Sequence, residues 1–119
     1  MGFKKRFAPM VESGTKRQTI RAKRKDGHNP HPGQTLYLYT GLRTKSCRKL
    51  GTAPCKSVEE ITVDCYGINV SGIWLTWMER ESMAKADGFE NFQEMREFFS
   101  REHHVDLVKD GFSGLLIKW

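Results

Sequence analysis

TLYLYT, residues 35 to 40, alternates strictly between two kinds of side chain. Because successive side chains of a strand point to opposite faces, Leu36 and Leu38 share one face and Tyr37 and Tyr39 share the other. The segment therefore predicts a strand with an apolar face and an aromatic face.

The aromatic face of this strand has two interpretations. Tyr37 and Tyr39 could stack on nucleic-acid bases, a contact worth roughly 1 to 3 kcal/mol per base. A row of aromatic side chains on a strand more often packs into a core, and we expect core packing for both tyrosines. We expect the same for Trp74 and Trp77.

Further strands are predicted downstream of this one. VEEITVDCYGI (58–68) and INVSGIWLTW (68–77) are rich in β-branched residues and predict central strands, with a bulge at Gly67 or Gly72. GLLIKW (114–119) predicts a short apolar closing strand. The segment 41–57 contains glycine, proline and several cations, and is expected to be a loop.

Three helical segments are predicted. Pro9 and Gly14 bracket a helix of one or two turns, since proline favours the first helical position and glycine the position after the end. MERESMAKADG (78–88) is helix-prone, and the next helix has an Asn91-x-x-Glu94 capping pattern that places Phe92, Met95 and Phe99 on one face.

These elements predict an α+β fold, a small mixed β-barrel with two or three flanking helices, because barrels remove exposed sheet edges by closure. The 119 residues are expected to form a single domain over 1–119. No apolar run of about 18 residues is present, so we expect a protein outside the membrane. The N-terminal segment lacks the apolar stretch of an export signal, which favours a cytoplasmic location.

The cysteines argue against a disulfide framework or a zinc site. Cys47, Cys55 and Cys65 are odd in number and follow a C-x7-C-x9-C spacing, which lacks the paired C-x2-C of zinc sites. We therefore expect reduced thiols, no bound metal and no cofactor.

Charge is distributed unevenly along the chain, whose net charge is +6. Residues 1–50 contain 13 lysines and arginines against two acidic residues, whereas residues 51–119 contain 7 against 12. Such a division favours a cationic face aimed at nucleic acid or a phosphorylated ligand. The alternative is a solvated surface whose two halves neutralise each other in the fold.

Four segments, in this order, resemble the ASCH family of the PUA-like β-barrel superfamily, which is related to RNA-binding PUA domains. They are Gly14 with KRQTIR (16–21), PGQTLYLYTGLRTKSC (32–47), A-x-x-D-G-F (84–89) with NFQEMREFF (91–99), and GLLIKW (114–119). The resemblance covers nearly the whole chain. It implies a barrel pocket walled by the segment after the first helix and by the A-x-x-D-G-F region, open to RNA or a modified nucleoside.

Some ASCH proteins resemble amidohydrolases that remove an acyl group from modified cytidine, and one type behaves as a ribonuclease. The resemblance implies that Lys16, Thr19 and Asp87 occupy the places of the deacylating Lys-x-x-Thr pair and its distant carboxylate. Those enzymes have glutamate where this chain has Asp87, a side chain shorter by one methylene. The alternatives are a ribonuclease acting in the same basic cleft and a non-catalytic RNA-binding module.

The chemistry of such a triad sets conditions on each residue. Thr19 can be a nucleophile, and Lys16 can be its base only if neutral, which from a reference pKa near 10.4 requires a shift of roughly three units, about 4 kcal/mol. Otherwise Lys16 is a permanent cation for phosphate or an oxyanion. Because residues i and i+3 of a flat strand face opposite ways, convergence also requires a bend between them.

The remaining cations are candidates for phosphate contact, because arginine forks fit phosphate with two hydrogen bonds. The alternative interpretation is that these cations are only solvated at the surface and bind no ligand. We expect RNA or a modified nucleoside as the partner, and a monomer. The candidate ligand-binding residues are Arg17, Arg21, Lys23, Arg24, Arg43, Lys45 and Arg48.

Overall fold

The predicted strand at residues 35–40 is present in the computed structural model, which describes residues 1–119. It is one of eight strands, which combine with three helices. In chain order the elements are β1 (Gly2–Phe3), α1 (Ala8–Ser13), β2 (Gln18–Arg21), β3 (Thr35–Thr40), β4 (Arg48–Pro54), β5 (Ser57–Val63), β6 (Ile68–Val70), β7 (Ile73–Trp74), α2 (Trp77–Ala86), α3 (Phe92–His103) and β8 (Phe112–Lys118).

The strands form two sheets, which confirms the α+β class. One sheet has the order β1-β3-β4 and the other the order β2-β8-β5-β6-β7. No closed barrel is detected, because no strand pairing joins the edges of the two sheets. The edge strands β1 and β7 have only two residues each, and short edge strands are one way in which sheets avoid further pairing.

The C-terminal strand β8 lies inside the larger sheet rather than at its border. It pairs with β2 on one side and with β5 on the other, both antiparallel. Leu115, Leu116 and Ile117 are buried in succession, as expected for a strand covered on both faces. The predicted C-terminal strand is therefore confirmed, and it places β2 at the edge of the larger sheet.

The segment 41–57 was expected to be a loop, and this expectation is wrong for Arg48–Pro54, which forms β4. Its residues have low strand propensity and only Leu50 is buried, so pairing with β3 decides its conformation. The register of that pair shifts between Leu38 and Tyr39, which face Gly51 and Lys49 and leave Leu50 as the extra residue. The bulge lies there, and not at Gly67 or Gly72.

The predicted core role of the aromatic residues is also wrong in part. Leu36 and Leu38 are buried as predicted, but Tyr37 is 52% exposed and Tyr39 is only partly buried. Trp74 and Trp77 are 56% and 65% exposed. Their positions explain this exposure: Trp74 lies on the two-residue edge strand β7, and Trp77 begins α2.

The first and third helices show the end and the cap that their sequences predict. Gly14 ends α1 in a left-handed conformation, with φ of 82°. The Asn91 side chain accepts a hydrogen bond from the Glu94 backbone N–H at the start of α3, and Phe92, Met95 and Phe99 are its buried residues. These predictions are confirmed. No helix has the length and apolar character needed to cross a membrane.

Candidate functional site

A cavity of about 200 Å³ lies between the N-terminal segment, β2, the residues that follow α2 and the last turns of α3. Lys16, Thr19, Arg21 and Asp87 all line it. Its volume is below the roughly 300 to 1,000 Å³ of pockets for drug-sized ligands. It therefore suits one small group rather than a drug-sized ligand, and we call it the base-sized cavity.

Lys16 reaches this cavity because the chain bends after α1. Gly14 turns the chain in the left-handed region, and the Lys16 backbone N–H donates to the Met10 carbonyl at 2.9 Å. Strand β2 begins only at Gln18, so Lys16 and Thr19 do not lie on one flat strand. This is the bend that convergence of the two side chains requires.

Asp87 ends α2 and points its side chain into the interior, where the residue is 3% exposed. Its Oδ1 accepts a hydrogen bond from Lys16 Nζ at 3.0 Å, across 71 positions of sequence. Lys16 Nζ also donates to the Asp87 backbone carbonyl. A single ammonium group thus joins the end of α2 to the segment before β2.

Burial dominates the electrostatics of this pair. It lowers the pKa of Lys16 although the neighbouring Asp87 carboxylate opposes the shift. It also raises the pKa of Asp87, against the opposing effects of Lys16 and then of Gln18 and Arg21. Both shifts favour the neutral forms, because desolvation penalises charge. A neutral Lys16 amine is therefore more accessible than that of an exposed lysine.

Thr19 lies on β2 opposite Ile117, and only 5% of it is exposed. Its hydroxyl oxygen accepts a hydrogen bond from Arg21 Nε at 3.1 Å. Since that bond uses an oxygen lone pair, the hydroxyl hydrogen remains available to a base. The Arg21 charge would also stabilise negative charge that develops on the oxygen.

Aromatic side chains form the apolar wall of the base-sized cavity. Phe7, Phe89, Phe98 and Phe99 all line it. The Phe7 and Phe89 rings meet edge to face at 5.4 Å, and Lys16 Nζ lies 5.0 Å from the Phe7 centroid. The cavity therefore combines an aromatic wall with a buried polar group, an arrangement typical of sites for small ligands.

His103 also lines the cavity, although it was not among the candidate site residues. It belongs to the last turn of α3, where its ring stacks on Phe99 at 5.5 Å. Burial lowers the pKa of His103. The Glu102 carboxylate opposes this shift, whereas the Arg21 and His104 charges add to it. The spacing i, i+4 from Phe99 was the signal that could have placed it on the buried face.

The other candidate cations are not all at the cavity. Arg21 lines it, whereas Arg17, Lys23, Arg24, Arg43, Lys45 and Arg48 do not. Two of these are neutralised locally, because Lys23 pairs with Glu60 at 2.7 Å and Arg48 pairs with Glu12 at 2.6 Å. The remaining four are exposed and take part in none of the ion pairs.

Each of the four fixed residues of the A-x-x-D-G-F segment has a structural role. Ala84 is fully buried, Asp87 holds Lys16 and Phe89 forms part of the wall. Gly88 has φ of 101°, and a Cβ there would lie 2.8 Å from Phe7 Cδ1. Only glycine fits this position without moving the Phe7 ring.

Gly88→Ala is therefore expected to destabilise the protein more than an alanine placed at another left-handed glycine. Gly27 is the matched control, because its φ is 77° and a Cβ there would meet nothing within 4 Å. We expect Gly27→Ala to lower the free energy of unfolding by about 1 kcal/mol, through backbone strain alone. Gly88→Ala should lower it by roughly 1 to 3 kcal/mol more, because the added methyl group overpacks against Phe7. Urea denaturation measures both, and equal losses would contradict a steric role for Phe7.

Cysteine positions agree with the expectation of free thiols, since Cys47, Cys55 and Cys65 are all unpaired. No group of three or more histidine, cysteine, aspartate or glutamate side chains is arranged to hold a metal ion.

Comparisons of the chain with protein-family models, with curated proteins and with solved structures found no match.

Proposed function

We propose that this protein is a PUA-like ASCH domain that binds a modified nucleoside in the base-sized cavity and hydrolyses an acyl amide on its cytosine-like base. The observation that carries the proposal is the buried Lys16–Asp87 pair, 3.0 Å from Nζ to Oδ1, on the same cavity as the Thr19 hydroxyl. Acyl transfer needs a nucleophile, a base and a group that orients the base. Thr19, Lys16 and Asp87 supply these three groups.

In the proposed reaction the Thr19 oxygen bonds to the acyl carbonyl carbon while its proton passes to the neutral Lys16 amine. The bond between that carbon and the exocyclic nitrogen of the base then breaks, and the leaving nitrogen takes the proton from Lys16. Water next hydrolyses the Thr19 ester, which releases the carboxylic acid and restores the hydroxyl. No step of this scheme uses a metal.

The shorter side chain of Asp87 is compatible with this scheme. The deacylating relatives implied by the resemblance have glutamate at this place, and a misplacement of about 1 Å in a catalytic group can cost roughly a hundredfold in rate. Here the aspartate already lies within hydrogen-bond distance of Lys16, at 3.0 Å. Aspartate therefore has the reach to orient the lysine.

The proposal is tested by incubating the protein with N4-acetylcytidine and separating the products by chromatography. We expect cytidine and acetate in equal amounts, at a rate that rises with pH as Lys16 loses its proton. Since burial lowers the Lys16 pKa, this rise should lie below the usual range of lysine. Asp87→Glu is the companion variant and should retain activity if the carboxylate only orients Lys16.

RNA binding is the second candidate. Arg17, Arg24, Arg43 and Lys45 are exposed and form no ion pair, so all four are available to phosphates. A parallel incubation with mixed RNA distinguishes the outcomes: shortened RNA would favour a ribonuclease. Intact RNA together with intact acetylcytidine would contradict hydrolysis and leave a binding module.

A further inference from the structure

A second cavity of about 290 Å³ adjoins the base-sized cavity and shares Gly2 and Arg21 with it. Arg24 and Asn29 also line it, above an apolar floor that includes Leu115 and Ile117. No aspartate or glutamate is among its lining residues. We call it the arginine cavity.

The polar groups around the arginine cavity are mostly free donors. Arg21 uses Nε to bond Thr19 and one terminal nitrogen to bond the Gly2 carbonyl, which leaves its other terminal nitrogen without a protein acceptor. The Asn29 Oδ1 accepts from the Arg24 backbone N–H at 2.8 Å. That bond occupies the amide oxygen and leaves the amide N–H groups to donate.

Two like charges also meet at this cavity without a carboxylate between them. Arg21 is partly buried, and its guanidinium bonds only to neutral acceptors. Burial lowers the pKa of Arg21, Asp87 raises it, and the neighbouring Arg24 lowers it. An anion between the two guanidiniums would convert this repulsion into two attractive contacts, and arginine forks match phosphate oxygens in geometry.

We propose that the arginine cavity is a phosphate subsite, which holds the phosphate of a nucleotide while its base lies in the base-sized cavity. The assignment of the base rests on the proposed function, whereas the phosphate site rests on the donors and charges of the arginine cavity. The ligand class is thereby narrowed from a free nucleoside to a phosphorylated one. The phosphate can belong to a mononucleotide or to an internal position of RNA.

The first test compares affinities for cytidine and cytidine 5′-monophosphate by calorimetry at constant ionic strength, with no turnover required. Because a hydrogen bond to a charged group is worth more than a neutral one, we expect the nucleotide to bind about tenfold tighter or more. Arg24→Gln should move the ratio of the two affinities toward one. Equal affinities in the wild-type protein would overturn the subsite.

Lys25→Gln is the matched control, because it removes one positive charge from the neighbouring exposed residue, which does not line the arginine cavity. It should keep the wild-type ratio. Equal losses in Arg24→Gln and Lys25→Gln would assign the preference to net charge and overturn the proposal. A short oligocytidine that binds tighter than the mononucleotide would identify an internal phosphate as the natural one.

Pyrophosphate alone separates this proposal from the proposed function. Its binding, followed by thermal shift, should be weakened by Arg24→Gln and not by Lys25→Gln. If cytidine and its nucleotide both fail to bind while pyrophosphate shows this dependence, the base assignment fails and the phosphate subsite stands. If pyrophosphate binding is absent or independent of Arg24, the phosphate subsite fails whatever happens to acetylcytidine.

Discussion

Thr19→Val is expected to lower the turnover of N4-acetylcytidine by at least about a thousandfold, since loss of a nucleophile typically leaves only the contribution of binding and charge stabilisation. Valine keeps the shape of threonine and removes the hydroxyl. Affinity for the unreactive product cytidine should fall by no more than one hydrogen bond, roughly 0.5 to 1.5 kcal/mol. Chromatographic rates and calorimetric affinities measure the two effects separately.

The control for this prediction is Thr15→Val, a like change at an exposed threonine outside the base-sized cavity. It should leave both rate and affinity as in the wild-type protein. If Thr19→Val retains turnover, Thr19 is not the nucleophile, and the attacking oxygen would have to come from water activated by Lys16.

Lys16→Met is expected to destabilise the fold by about 3 to 5 kcal/mol at neutral pH. The change removes the only ion-pair partner of Asp87, and an unpaired buried charge carries a cost of this size. The double variant Lys16→Met/Asp87→Asn has no buried charge and should recover much of the loss. Urea denaturation of the wild-type protein, both single variants and the double variant gives the coupling energy.

The pH dependence of Lys16→Met has a definite sign. Burial already raises the pKa of Asp87 in the paired state, and loss of the cation removes the largest of the effects that oppose this rise. With the folded-state pKa above the unfolded value, the folded state binds more protons across that interval, so stability falls as pH rises through it. The stability that Lys16→Met loses relative to the wild-type protein should therefore become smaller from pH 7 toward pH 4. A deficit that is the same at both pH values would contradict an ionised, unpaired Asp87.

Local signals were sufficient for several elements of the fold. The Asn91 cap, the Gly14 helix end and the alternation at residues 35–40 each depend on interactions within a few residues. Strand β4 had no such signal, because its residues are mostly exposed and its conformation comes from pairing with β3. Exposure of Trp74 and Trp77 was equally unpredictable, since it depends on whether another layer covers them.

Some residues of the candidate site could likewise be predicted from the sequence, and others could not. Resemblance to the ASCH family singled out Lys16, Thr19 and Asp87 from short motifs, and the structure brings all three to one cavity. Phe7, Phe98 and His103 were missed, because they come from separate segments that meet only after folding.

The sequence by itself determined the α+β class, the three helices, most of the strands and the strong positive charge of the first half, since periodicity, capping and composition are properties of neighbouring residues. Only the tertiary structure decided the two-sheet pairing, the solvent-facing aromatic residues and the direction of the pKa shifts at the site. Lys16 is an ordinary lysine in the sequence, and its lowered pKa arises because folding buries it beside Asp87, 71 positions away. Desolvation is a property of the whole fold, so no local pattern encodes it.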